Sequence, residues 1–121
     1  MTLQDQVTSL EISKRLKELG VKQESYFRYV QNKDELWFLR SEPEYRSGLS
    51  AFTVAELGEM LKNTGFEDKT NGYYRSTFWF QDKWYSSMDT KSGVPAITAD
   101  TEADTRGLML IYLLENKLIT L

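Results

Sequence analysis

The chain contains neither histidine nor cysteine, and this removes most of the usual catalytic chemistry. Without histidine there is no side chain whose unperturbed pKa lies near neutrality, so histidine-dependent triads and histidine zinc sites are excluded. Without cysteine there are no disulfides, thiolate nucleophiles or thiolate metal sites. No glycine-rich phosphate-binding motif occurs either. Any acid–base or metal chemistry would therefore depend on carboxylates.

The densest group of carboxylates comprises Asp100, Glu102 and Asp104. Such a group could bind Mg²⁺ or transfer protons. It stands, however, at the start of a predicted helix, where acidic side chains cap free N–H groups and complement the positive end of the helix dipole. Capping is the simpler interpretation. We therefore expect a protein that is not an enzyme and that uses no metal and no cofactor.

Aromatic side chains are the other group that could serve a function. In the second of two predicted hairpins, both faces of the strand at residues 73–80 are aromatic, because side chains alternate across a strand. Exposed aromatics beside arginine are typical of contact surfaces, and they also stack on bases. The pattern is equally consistent with helices that cover both faces. The candidate contact residues are Arg28, Trp37, Tyr73, Arg75, Trp79 and Trp84.

Three helices must position these side chains, and we predict them at residues 8–19, 53–61 and 100–117. The first two begin with capping boxes, Thr8 with Glu11 and Thr53 with Glu56, followed by apolar stripes at helical spacing. The third is the longest and carries apolar residues on several sides, which predicts a central core helix. Its main apolar face comprises Ala103, Gly107, Leu110, Ile111, Leu114 and Leu118.

The strands are predicted from aromatic and β-branched runs. Residues 25–30 and 36–40 form one hairpin, and residues 73–80 and 84–88 form another. Residues 94–98 suit a short edge strand, and residues 41–50 read as a loop because of their proline and glycine. The sequence thus predicts one α+β domain over residues 1–121. Its single antiparallel sheet of two hairpins, with a possible fifth edge strand, is packed by three helices in the order α-ββ-α-ββ(β)-α.

The two halves of the chain resemble each other. The capping box of the first helix recurs in the second, residues 26–28 are echoed by 73–75, and Trp37 is echoed by Trp84. Capping boxes and helical stripes are general features of helices, so the echo is either a true αββ duplication or a coincidence. A duplication would give the two tryptophans equivalent positions on their strands and would bring both hairpins to a shared groove.

Composition restricts the class of partner. The chain has 121 residues, of which 40% are hydrophobic and 27% are charged, and its formal net charge is -3. These values describe an ordinary globular domain, and the acidic excess argues against a protein that coats phosphate backbones. A hairpin rather than a recognition helix follows each of the first two helices. We therefore expect no specific binding of duplex DNA.

The hydropathy pattern contains no candidate membrane segment. The N-terminal residues are polar, which argues against a secretory signal. The longest apolar stretch, residues 108–114, is far too short to cross a bilayer. We expect a cytoplasmic protein that has no membrane partner.

Three segments carry a resemblance to a known family: residues 8–25 (TSLEISKRLKELGVKQES), 50–61 (SAFTVAELGEML) and 109–119 (MLIYLLENKLI). They resemble a family of small uncharacterised proteins that phages and prophages of bacteria encode. The likeness does not extend over residues 72–97. The chain also departs from the family pattern at Lys62, where a proline is usual, and at residues 26–29, where a tryptophan is expected. The resemblance implies an accessory role in an infected or lysogenic cell, and it carries over no catalytic residues.

These observations favour a non-enzymatic protein-binding module whose aromatic surface binds a host or phage protein. The alternative is a protein that binds a small ligand or nucleotide and so sequesters a host defence signal. The two hypotheses predict different surfaces. A groove with converging arginine, lysine and aromatic side chains would favour the ligand, whereas a flat or convex apolar patch would favour the protein partner.

Overall fold

Three helices and two three-stranded antiparallel sheets form the fold, in the order α-βββ-α-βββ-α. The computed structural model describes residues 2–41, 48–62, 74–88 and 93–119. No helix within these ranges combines the length and the apolar character that a membrane span requires. After a short 3-10 helix at Leu3–Gln6, the elements are α1 (Leu10–Glu18), β1 (Phe27–Gln31), β2 (Trp37–Arg40), β3 (Leu49–Ala51), α2 (Val54–Lys62), β4 (Tyr74–Phe80), β5 (Lys83–Met88), β6 (Ile97–Ala99) and α3 (Glu102–Glu115).

Helix α3 lies at the centre of the fold because it is apolar on most of its sides. Met109, Leu110 and Leu113 are fully buried and Ile111 nearly so, whereas a surface helix would leave one side in water. The helix contacts α1, α2 and all three strands of the second sheet. The predicted central core helix is confirmed. Its burial differs in detail from the prediction, since Leu114 is only half-buried.

Helices α1 and α3 approach each other closely. A Cβ atom at Gly107 would lie 2.8 Å from Ile12 Cγ2 and 3.0 Å from Thr8 Cγ2, so glycine permits this approach. Near the start of both helices, Asp104 of α3 accepts a 2.7 Å hydrogen bond from the backbone N–H of Ser9, the N-cap residue of α1. A carboxylate of α3 therefore stands at the positive end of the α1 dipole.

The capping box predicted for the second helix is confirmed. The N–H of Thr53 donates to Glu56 Oε1 at 2.9 Å, and the N–H of Glu56 donates to Thr53 Oγ1 at 3.2 Å. The box predicted at Thr8 is wrong, because the N-cap of α1 is Ser9. Thr8 is fully buried and its hydroxyl accepts from the N–H of Phe52 at 3.1 Å instead. Its buried position beside β3 explains this different role.

The hairpins lie in two sheets, with the strand orders β2-β1-β3 and β4-β5-β6. Both predicted hairpins are confirmed. The edge strand predicted at residues 94–98 is present as β6, but it lies later in the chain, at Ile97–Ala99. The prediction of one sheet was wrong, because β3 pairs with β1, and β6 pairs with β5. Each third strand occupies a hairpin edge that could otherwise have joined the other hairpin. The predicted loop at residues 41–50 overlaps β3, whose residues are all buried and so show no alternation.

The strand order does not reproduce the predicted αββ duplication. In the first sheet the third strand pairs with the first strand of the hairpin, whereas in the second sheet it pairs with the second. Arg28 is therefore on a central strand and Arg75 on an edge strand. Trp37, by contrast, is on an edge strand, and Trp84 is on a central strand. The expected equivalence of the two tryptophans, and the shared groove inferred from it, are wrong.

The pKa of Asp104 is shifted by its surroundings. Burial raises its pKa above the ordinary value, while the hydrogen bonds from Ser9 act in the opposite direction. The pKa of Tyr29 is raised as well, by burial and by the charge of Asp104. Because the native pKa of Asp104 exceeds that of the unfolded chain, its contribution to stability is complete below the unfolded pKa. This contribution is lost as pH rises through the native pKa.

Two substitutions separate the hydrogen bond of Asp104 from its charge. Asp104→Ala is expected to lower the free energy of unfolding by about 1–3 kcal/mol, because the N–H of Ser9 loses its acceptor. Asp104→Asn keeps an acceptor oxygen and should stay within about 1 kcal/mol of the wild type at neutral pH. Urea denaturation at several pH values measures both.

The Asn variant also tests the sign of the pKa shift. Its stability relative to wild type should increase as pH rises from about 3 to about 7, because only the wild type must ionise a partly buried carboxyl. A difference that decreases over this range would contradict a raised pKa.

Candidate functional site

The β4–β5 hairpin presents two tryptophans on one face. Trp79 and Trp84 lie directly opposite each other in the strand register. Their ring centroids are 5.7 Å apart and their planes are inclined at 61°. Trp79 is 54% exposed, and Trp84 is partly buried. Because the rings meet edge to face rather than stacking, ring faces are left over for another group to contact.

These tryptophans form one wall of a pocket of about 600 Å³. The other walls come from the 3-10 helix and from the N-terminal ends of α2 and α3. Strands β3 and β6 each lead into a helix after two residues, with Thr53 and Thr101 directly before the helices. Both of these strand-to-helix connections line the pocket beside the β4–β5 hairpin. The pocket is therefore built from short, hydrogen-bonded connections rather than from a long loop.

The lining of this pocket is acidic. Asp5, Asp100 and Glu102 contribute to it, and the described residues add neither lysine nor arginine to the lining. Lys83 forms an ion pair with Asp100, and this contact raises the pKa of Lys83. Arg106 Nη2 lies 3.7 Å from Glu102 Oε1, which is within ion-pair distance. Asp5 instead accepts hydrogen bonds from Thr2, a neutral residue. The aromatic wall thus faces carboxylates, which favour a cation over an anion.

A polar network behind the pocket fixes its walls. Thr77 Oγ1 donates to Glu102 Oε1 at 2.6 Å and accepts from Arg106 Nη2 at 3.2 Å. Arg106 Nη1 donates to the carbonyl of Val54 at 3.3 Å. A Cβ atom at Gly58 would lie 2.5 Å from that same Nη1, so glycine in the middle of α2 makes room for the guanidinium. The network joins α2, β4 and α3.

Gly58→Ala is expected to destabilise the protein although alanine favours helices. Helix propensity alone would add about 1 kcal/mol of stability. The new methyl group must displace the guanidinium of Arg106 from its hydrogen bonds, so we expect a net loss of about 1–3 kcal/mol in urea denaturation.

The matched control is the same substitution in an Arg106→Ala background. There the clash is absent, so Gly58→Ala should be neutral or stabilising. An equal loss in both backgrounds would contradict the proposed role of this glycine.

The opposite face of the hairpin is also aromatic. Phe78 and Phe80 are 42% and 56% exposed. Phe78 stacks on Tyr85, with ring centroids 5.3 Å apart and planes at 9°. The prediction that some aromatic surface of the second hairpin is exposed is confirmed. The interpretation in which helices cover both faces is wrong for these residues.

A second groove, of about 670 Å³, lies on the first sheet. Trp37 of β2 lines it together with Lys14 and Lys17 of α1. Lys14 Nζ stands 5.4 Å from the centroid of the Trp37 ring, within the range of a cation–π contact. Glu18 also contributes a carboxylate to the lining. This groove holds the combination of basic and aromatic side chains that suits a small anionic ligand.

The six candidate contact residues do not form one site. Trp79 and Trp84 share the acidic pocket, whereas Trp37 lines the groove on the other sheet. Arg28 is partly buried, and its Nη2 donates to the carbonyl of Gln23 at 2.6 Å, so it holds the segment between α1 and β1. Tyr73 and the side chain of Arg75 lie outside the described residues.

Sequence reasoning missed the charged residues of both grooves. Asp100 and Glu102 were identified in the sequence but were assigned to helix capping. They lie between a predicted strand and a predicted helix, and this placement could have indicated that they are near the end of a strand. For Asp5, Lys14 and Lys17 the sequence contains no such signal, because each belongs to the solvated side of a helix.

The acidic group at the start of α3 does not converge on a metal position. Asp104 accepts from the N–H of Ser9, Asp100 pairs with Lys83, and Glu102 accepts from Thr77. Within the described ranges, no three acidic side chains are arranged as ligands of one ion.

Comparison with known proteins leaves function to be argued from this geometry. No protein-family model, no curated protein and no solved structure matches the chain.

Proposed function

We propose that the protein is a non-enzymatic binding module that captures a partner protein on its β4–β5 hairpin. The observation that carries this proposal is the exposure of three consecutive aromatic side chains. Phe78, Trp79 and Phe80 are 42%, 54% and 56% exposed. Phe78 and Phe80 lie on one face of β4 and Trp79 lies on the other, so each face of the hairpin exposes aromatic surface. Exposed aromatics are typical of contact surfaces, because they bury a large apolar area while few torsions become fixed.

Phe78 and Trp79 are already held in place before a partner arrives. Tyr85 stacks on Phe78, and Trp84 packs edge-on against Trp79. Such preorganisation lowers the entropy lost on binding. Strand β4 is also an edge strand among the described elements, and an edge strand can pair with a strand of another chain. A host or phage protein as the partner fits the accessory role that the resemblance to phage and prophage proteins implies.

Site-specific photocrosslinking tests this proposal. A photoreactive phenylalanine analogue at position 80 is expected to crosslink one discrete protein in bacterial cells that express the chain, because Phe80 is 56% exposed, more than Phe78 or Trp79. Adding Phe78→Ser should greatly reduce the crosslinked product. The stability change caused by Phe78→Ser is measured separately by urea denaturation, so that unfolding can be excluded as the cause.

The matched control carries the same analogue at position 38. Phe38 is 38% exposed and lies on β2 in the other sheet. It should not crosslink the same protein. Equal crosslinking at both positions, or no discrete product at position 80, would overturn the proposal.

A second candidate function, binding of a nucleotide, is favoured by the groove on the first sheet. Lys14 and Lys17 supply positive charge for phosphate, and Trp37 supplies a ring on which a base could stack. The acidic pocket of the second sheet does not suit this ligand, because its carboxylates repel phosphate.

Thermal denaturation with ATP and with a cyclic dinucleotide tests the second candidate. Either ligand is expected to raise the Tm, because a ligand that binds only the folded state stabilises it. Lys14→Gln with Lys17→Gln should remove the shift, whereas Phe80→Ser should not. An unchanged Tm with both nucleotides would reject this function.

A further inference from the structure

A second acidic hollow adjoins the tryptophan pocket. It has a volume of about 540 Å³, and Glu24, Glu56 and Glu59 line it together with Tyr26. The ring of Tyr26 is 76% exposed. Ala55, on the first turn of α2, lines both hollows, so the two lie on either side of one exposed residue. Each hollow therefore combines exposed aromatic surface with several carboxylates.

The carboxylates of the two hollows are only partly neutralised. Ion pairs with basic side chains involve Glu24, Asp100 and Glu102. By contrast, Asp5 and Glu56 accept their hydrogen bonds from neutral groups: Asp5 from Thr2, and Glu56 from Thr53 and from the N–H of Tyr26. The surface formed by both hollows consequently keeps negative charge that a cationic partner would complement.

The helix dipoles do not reverse this preference. The N-terminal ends of α2 and α3 border the tryptophan pocket, and each is equivalent to roughly half a positive charge. Each helix also carries acidic side chains in its first turn, Glu56 in α2 and both Glu102 and Asp104 in α3. Glu56, whose hydrogen bonds come from neutral groups, carries a larger charge than the end of one helix dipole.

We infer that the two hollows form one docking groove for an extended basic segment of a partner protein, which places one cationic side chain against Trp79 and Trp84 and another against Tyr26. Aromatic faces attract cations through their quadrupole, and neighbouring carboxylates strengthen the attraction. This inference rests on the proposed function, because it gives the chemistry of the partner that the β4–β5 hairpin captures.

A segment of a protein fits this groove better than a small free cation does. Trp79 lines the tryptophan pocket and is 54% exposed, so an occupant of the pocket also contacts the tryptophan face of the β4–β5 hairpin. The second hollow continues the contact on the other side of Ala55. A small cation would fill one hollow. A segment with two basic residues engages both hollows, and its affinity is higher because binding of the first residue raises the effective concentration of the second.

Titrations with synthetic peptides test this inference on the full chain. The probes contain two arginines separated by short, medium or long Gly/Ser spacers. Matched peptides carry one arginine, two citrullines or two glutamates. Binding is measured calorimetrically and by tryptophan fluorescence at low ionic strength, where surface charge is least screened. One spacer length should bind more tightly than the single-arginine peptide, and the citrulline and glutamate peptides should not bind.

Two variants locate the binding site of the peptides. Trp79→Ala should weaken the best diarginine peptide by about three- to tenfold, the range of a cation–π contact. Ala55→Lys puts a positive charge at the exposed boundary of the two hollows and should weaken the peptide by about tenfold. The control, Asn116→Lys, adds the same charge after the last residue of α3, about 20 Å along the helix from Glu102. It should leave the affinity unchanged.

The outcomes separate this inference from the proposed function. Equal binding of the citrulline or glutamate peptides, an unaltered affinity in Ala55→Lys, or no binding of any diarginine peptide would overturn the basic-segment inference. If position 80 still crosslinks a partner in those cases, the proposed function stands without it. If the peptides bind as expected but position 80 crosslinks nothing, the hairpin surface fails as the capture site while the groove chemistry is supported.

Discussion

The burial of helix α3 is the constraint on which the rest of the structure depends. A helix with Met109, Leu110 and Leu113 all fully buried cannot lie on the surface of one sheet; it must be covered from several directions. The covering elements are α1, α2 and the second sheet. The first sheet is instead attached through α1, which packs against β3 as well as against α3. Two helices and the second sheet together satisfy this requirement, where a single flat sheet would leave part of α3 in water.

The same constraint creates the candidate site. Helices α2 and α3 pack against each other, and their first residues line the same pocket. Both strand-to-helix junctions have the form alanine, one residue, capping threonine. Ala51 and Thr53 form one junction, and Ala99 and Thr101 form the other. Arg106 then spans from α3 to the first carbonyl of α2. The pocket is thus a consequence of how the helices start, and its acidic side chains are the ones that helix starts prefer.

Local features could be predicted from the sequence, whereas the pairing of distant strands could not. The capping box of α2 and the apolar character of α3 each depend only on residues that are close together in the sequence. The three residues of β3 are all buried, so no alternation marks them as a strand. The pairing of Trp79 with Trp84 depends on a two-residue turn in which Gln81 and Asp82 both have positive φ, 48° and 64°. That turn usually requires asparagine or glycine, and the sequence instead predicted a three-residue turn at residues 81–83, whereas β5 already begins at Lys83.

The division of charge between the two sheets has a functional consequence. The net charge of -3 is small, but the charges are unevenly distributed. Carboxylates line the tryptophan pocket beside the second sheet, and lysines line the tryptophan groove on the first. The aromatic rings supply apolar contact area at both places and do not distinguish one partner from another. The charges beside them make that distinction, because a like charge brought to either groove is repelled. Under the proposed binding function, selectivity is therefore expected to reside in a few charged side chains at helix ends and helix faces, and affinity in the aromatic side chains that the strands hold next to them.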